Sequence, residues 1–132
     1  MEEDEGALLR KARECLDGAE SEYVNRRFNN CANRCYYACY HAAVFALIQA
    51  GFRPGRDGQW VLGSVQAQFA GQLVNRRKRY TADHRDTLSQ GMALRQRADY
   101  ELDDVSQIQA ARALRRTRAF LEEVRSKEAR SR

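Results

Sequence analysis

A single proline, Pro54, falls in 132 residues, and the chain holds only 8 glycines. Proline and glycine are the residues that interrupt helices, so a chain this poor in them favours long helices over a sheet of short strands. Apolar residues recur at the three- and four-residue spacing of one helix face throughout. The pattern predicts an all-α fold: an antiparallel up-and-down helical bundle of four to five helices. One domain spans residues 1–132, with its core in about 5–126.

The periodicity places a first helix over about 5–26, with Leu8, Leu9, Ala12, Leu16, Ala19 and Tyr23 inward. A second runs from about Asn29 to Ala50, where Gly51 stops it as a C′ glycine does. Residues 51–59 form the longest break. A third helix runs from about Trp60 to Arg77, with Val65, Phe69, Leu73 and Val74 inward. A fourth covers about Ala82 to Asp99, with Leu88, Met92 and Leu94 or Arg95 inward. The fifth covers about Val105 to Ser126, carrying Ile108, Ala111, Leu114, Leu121 and Val124, with Asp103 or Asp104 as its N-cap. The last six residues are polar and expected to fray.

No apolar run reaches the roughly 20 residues that a membrane span needs. The start, "MEEDEG", is acidic, unlike a signal or transit peptide, so a cytoplasmic location is expected. The net charge is +5, which is compatible with nucleic acid without requiring it. Base clusters at Arg26–Arg27, at "NRRKRY" (75–80) and at "RALRRTR" (112–118). Cys31, Cys35 and Cys39 repeat every four residues on one helix face, a poor geometry for disulfides. Without a CxxC or suitably spaced histidines, no metal site and no cofactor is expected, and the thiols read as small hydrophobes. His84, in "TADHRD", reads as a solvated surface residue.

The second helix poses the functional question. Its stretch "NRCYYACYHAAVFALIQAG" is full of aromatic, small and aliphatic residues, yet it carries Arg34 and His41, seven residues apart. Seven residues turn a helix through about 700°, so the two share a face roughly 10 Å apart along the axis. Asn30 and Tyr37 continue the line. A charged group on so apolar a helix needs a partner or a wet groove. "LRQRADY" supplies Asp99 as a possible acceptor for Arg34 or Arg95, with Tyr100 positioned to cover it.

"NRCYYACYHAA" resembles the signature of the HEPN family, an arginine followed by four to six residues and a histidine. Arg34, Tyr36, Tyr37, Tyr40, His41 and Ala42 fit the small bacterial and archaeal branch. "VQAQFAGQLVNRRKRY", "LRQRADY" and "VSQIQAARALRRTRAFLEEV" are similar to its downstream blocks, so the likeness covers about residues 8–125. The resemblance implies a two-fold homodimer with Arg34 and His41 lining a cleft between subunits. It also implies a metal-independent endoribonuclease, the toxin of a toxin–antitoxin pair, with Arg34 and His41 catalytic. Asn30, Tyr37, Arg76, Arg77 and Lys78 would contact RNA or a nucleotide, and Asp99 and Tyr100 would orient Arg34. Two alternatives stay open. One is a non-catalytic subunit that binds nucleotide, RNA or a minimal nucleotidyltransferase antitoxin; Cys35 after the arginine and Leu62 after Trp60 favour it. The other is a helical dimer without ligand.

Overall fold

The computed structural model describes residues 2–55 and 58–131, with side chains over 6–55 and 58–127. The acidic run at 1–5 and part of the 51–59 break lie outside those side chains. Four long helices dominate: α1 (Glu2–Val24), α2 (Phe28–Gln49), α4 (Ala82–Tyr100) and α5 (Gln107–Ser131). The shorter α3 (Leu62–Gln68) passes directly into a π-helical segment, Phe69–Arg76. Among the described residues there is no strand, and no helix is long and apolar enough to cross a membrane.

α2 is the central rod, packed against α1, α4 and α5. Its cross-links set the directions. Asn33 meets Asp99 and Tyr36 meets Arg95, so α4 runs antiparallel to α2. Asn29 meets Val105 and Cys39 meets Thr117, so α5 runs parallel to it. The long helices therefore go up, down, up and down. Three neighbours crowd one helix, and its sequence accommodates them with small side chains. Cys31, Ala32, Cys35, Ala38, Cys39, Ala42, Ala43 and Ala46 are all buried. The four cysteines are free thiols; Cys15, on α1, is half-buried. One core cluster gathers at the C-terminal half of α2 around Phe45, Leu47, Phe69, Leu73 and Phe120. Another lies at its N-terminal half, around Leu16, Ala19, Ala110 and Leu114.

Helix ends follow local chemistry. α2 closes in a Schellman motif: Phe52 N–H donates to Leu47 O at 2.9 Å and Gly51 N–H to Ile48 O at 3.0 Å. Gly51 sits at φ 94°, a conformation that favours glycine. In the π-helical segment the turns widen, as in Arg77 N–H to Gln72 O at 3.0 Å. Adjacent Leu73 and Val74 can then both lie one turn beyond Phe69, and all three are buried.

α5 departs from expectation in register. Leu114 and Val124 face inward as expected, but Ile108 is 64% exposed, and Ala110, Ala113, Thr117 and Phe120 complete the buried face. Its start is capped by neither Asp103 nor Asp104. Ser106 Oγ accepts Gln109 N–H at 3.1 Å while Ser106 N–H donates to Gln109 Oε1 at 2.9 Å, a capping box. Asp104 instead accepts a bond from Asn29 Nδ2 at 3.0 Å. α5 also continues to Ser131, past the Ser126 end expected; Arg132 lies outside the described residues. His84 is half-buried rather than solvated, its ring 5.7 Å from Phe120 and 6.3 Å from Tyr80.

Asn29 ties the α4–α5 connection to α2, because its Oδ1 also accepts the N–H of buried Val105 at 2.8 Å. Asn29→Ala is expected to strand that donor and cost about 1–3 kcal/mol in urea unfolding, with the denaturant slope unchanged. A loss of only a few tenths of a kcal/mol would mean that the connection is held elsewhere.

Candidate functional site

α1 and α2 leave a groove of about 700 Å³ between them, and Arg34 and His41 both line it. The two stand on one side of α2, as their spacing requires. The opposite wall is a face of α1 carrying Lys11, Glu14, Cys15, Gly18 and Glu22, spaced by three and four residues. Gly18 lies beside the arginine stem: a Cβ there would stand 4.0 Å from the Arg34 Cγ, an ordinary van der Waals contact.

Arg34 is exposed and makes no ion pair or hydrogen bond among the described residues. Neither does Lys11. Glu22, by contrast, is engaged: Asn30 Nδ2 donates to its Oε2 at 3.3 Å, and Arg27 Nη1 lies 3.8 Å from the same oxygen. Glu14 and Asp17 stay exposed on the α1 side. The groove thus holds two uncommitted cations, an imidazole and a carboxylate rim.

His41 is half-buried, with the Tyr40 ring edge-on at 5.5 Å. Burial, with the nearby Lys11 charge, holds its pKa below the ordinary 6.5. Its imidazole is therefore neutral at pH 7, the state of a proton acceptor or a hydrogen-bond donor.

The remaining expected residues disperse. Asn30 is turned to Glu22 at the edge of the groove. Tyr37 lies over the α4 side, its ring 5.3 Å from Tyr36 and 5.8 Å from the Arg95 guanidinium. Tyr36 is buried, and Tyr40 donates its hydroxyl to Trp60 O at 3.1 Å. Asp99 takes Arg95 rather than Arg34: Arg95 Nη1 lies 3.4 Å from Oδ2, and Asn33 Nδ2 donates to the same oxygen at 3.1 Å. Tyr100 is 78% exposed and covers nothing. The block around Asp99 therefore fixes α4 onto α2 one residue from Arg34, without touching it.

The basic tract sits beside the C-terminus of α2. Arg77 Nη1 donates to Ala50 O at 2.9 Å, and its guanidinium lies 4.8 Å from the Phe52 ring. Sixteen residues, about 24 Å of helix, separate Ala50 from Arg34. Arg76 and Lys78 are exposed, Lys78 with φ 52° in the turn that ends the π-helical segment. Sequence reasoning missed Lys11 and Gly18. Their signal was the face of α1 defined by 11, 14, 15, 18 and 22, polar or small at each position.

The family model for the HEPN domain matches residues 6–127. No curated protein matches the chain with significance.

Burial lowers the pKa of both His41 and His84 from 6.5. The unfolded chain therefore takes up these protons at higher pH than the folded one. The histidine contribution to stability is complete above pH 6.5 and is lost as pH falls through the folded-state values. Proton NMR titration of the two imidazoles should give both midpoints below 6.5; a midpoint above it for either residue contradicts the packing described.

Proposed function

From the premise that this chain belongs to the HEPN domain family, we propose that it is a metal-independent endoribonuclease working through Arg34 and His41 in a cleft between two copies. The observation that carries the reading is the pair itself: an arginine with no ion-pair partner and a neutral imidazole on one wall of an open groove.

The chemistry follows from the side chains. Neutral His41 takes the proton of a ribose 2′-hydroxyl, and that oxygen attacks the adjacent phosphorus. The bond to the 5′-oxygen breaks, and the leaving oxygen takes a proton from the protonated imidazole of a second copy. The products are a 2′,3′-cyclic phosphate and a 5′-hydroxyl. Arg34 stays charged throughout and offers a planar fork of donors to the phosphoryl oxygens as negative charge builds on them. An arriving phosphate also opposes the effect of Lys11 on His41, easing protonation of the imidazole that must act as acid. Asn30 stands at the edge of the groove, and exposed Arg76 and Lys78 extend the reach to a longer strand. Such an activity suits the toxin of a toxin–antitoxin pair held silent by a partner protein, a minimal nucleotidyltransferase in the paired systems of this family.

A second reading has its own observation. Glu14 and Asp17 rim the groove and oppose a polyanion. A subunit that holds a nucleotide or a protein partner without cleaving RNA meets less of that opposition.

Cleavage assays on mixed RNAs in the presence of EDTA separate the two. Wild type is expected to release 2′,3′-cyclic phosphate ends. His41→Ala should lose about 10²–10⁴ of the rate, and Arg34→Ala about 10²–10³, with helical content retained in both. Equal rates in wild type and His41→Ala would refute the enzyme; binding without cleavage would favour the second reading.

A further inference from the structure

The third basic cluster of the sequence, Arg112 to Arg118, takes no part in the Arg34–His41 groove, and α5 divides it. Arg118 turns to α1, where its Nε donates to Glu20 Oε1 at 3.0 Å. Arg115 and Arg116 turn the other way and line a groove of about 560 Å³ between α4 and α5. Its α4 wall carries Asp83, His84 and Asp86. Arg112 stands one turn before Arg116, close enough for its charge to act on it.

These three arginines form no ion pair or hydrogen bond among the described residues. Like charges three and four residues apart destabilise a helix, so the cluster is not there for the helix's own sake. Arg116 is the most telling member. It is half-buried, its surroundings on the protein side being Cys35, Cys39 and other residues at the α2–α4–α5 junction. Burial pulls its pKa below the ordinary arginine value, and Arg112 and Arg115 add to the effect against the opposing influence of Cys39 and Cys35. A partly desolvated guanidinium without a carboxylate is a standing cost that a bound anion relieves.

The facing wall narrows the kind of anion. Asp83 and Asp86 are exposed, and only Asp86 has an ion-pair partner among the described residues, Arg85 at 3.4 Å. A strand of phosphates laid along the groove would meet these carboxylates. A compact ligand with a phosphate at one end and hydroxyl donors at the other meets opposite chemistry on each wall. The volume lies in the range of small-molecule pockets. We propose that the α4–α5 groove binds a small phosphomonoester bearing hydroxyl groups, a sugar phosphate or a nucleoside monophosphate. Arg115 and Arg116 hold its phosphate, and Asp83 and Asp86 accept its hydroxyl protons. This site is separate from the groove between α1 and α2 and does not depend on cleavage there.

The test titrates the full chain with ribose 5-phosphate, AMP, inorganic phosphate and an RNA oligonucleotide lacking terminal phosphates. Binding is read by calorimetry and by the His84 and His41 imidazole resonances. Ribose 5-phosphate and AMP are expected to saturate and to shift His84 while leaving His41 in place. Tighter binding of AMP would point to a nucleoside as the source, and equal binding to the sugar phosphate. Arg116→Gln and Arg115→Gln should each weaken affinity roughly ten- to hundredfold, the loss of a charge-assisted hydrogen bond. Because Arg116 is half-buried, exposed Arg115 supplies the variant that leaves packing intact. The proposal is overturned by failure of both phosphomonoesters to bind wild type, by unchanged affinity in Arg115→Gln, or by a shift confined to His41. Inorganic phosphate binding as tightly as ribose 5-phosphate removes the role of the carboxylates and overturns it too, as does equal binding of the RNA.

Discussion

Three helices packed around one rod is the constraint on which this protein rests. α2 meets α1, α4 and α5 along its length, and each approach is close because its buried positions are alanine and cysteine far more often than leucine. The larger buried groups are Tyr36, under Arg95 of α4, and, toward the C-terminal half, Phe45 and Leu47, which fill the space beside α3 and the π-helical segment. An enclosed helix has little surface left for polar groups. The side chains of Arg34 and His41 occupy what remains, the strip facing the groove along α1. The same enclosure that forces the small residues thus sends the guanidinium and the imidazole into one place.

Electrostatics in that place is balanced rather than simply basic. Arg34 on α2 faces an α1 wall that carries Lys11 beside Glu14 and Asp17, while Glu22 is drawn to Asn30 and Arg27. His41 feels burial first and the Lys11 charge second, and both favour the neutral ring. A phosphate entering such a groove finds cations free to turn toward it. It also has to outweigh the carboxylate rim, an arrangement that favours a tightly placed phosphate over a loosely attracted polyanion.

Much of this architecture was legible in the chain. Gly51 announced the end of α2, and the wheel arithmetic of 34 and 41 placed both on one face. Val65, Phe69, Leu73 and Val74 read correctly as inward. α5 was harder. Ile108 is the stronger hydrophobe, yet Ala110 and Ala113 are buried and Ile108 is not, because close helix packing selects small side chains where hydrophobicity alone would select large ones. The Ser106–Gln109 capping box was present in the residues but was outweighed by the more obvious aspartates. His84 looked solvated because its sequence neighbours are polar, whereas its burial comes from Phe120, distant in the chain.

By itself the sequence determined the all-helical class, the order of the helices and the common face of Arg34 and His41. Those depend on propensity and on periodicity within single segments, which are local properties. Only the tertiary structure decided which groups meet across helices. It joined Asp99 to Asn33, turned Asn30 to Glu22, set Arg77 against the end of α2 and brought Lys11 opposite His41. Long polar side chains have several partners within reach along the chain. The choice among them is made by the distance and direction of neighbouring helices, which no single segment encodes.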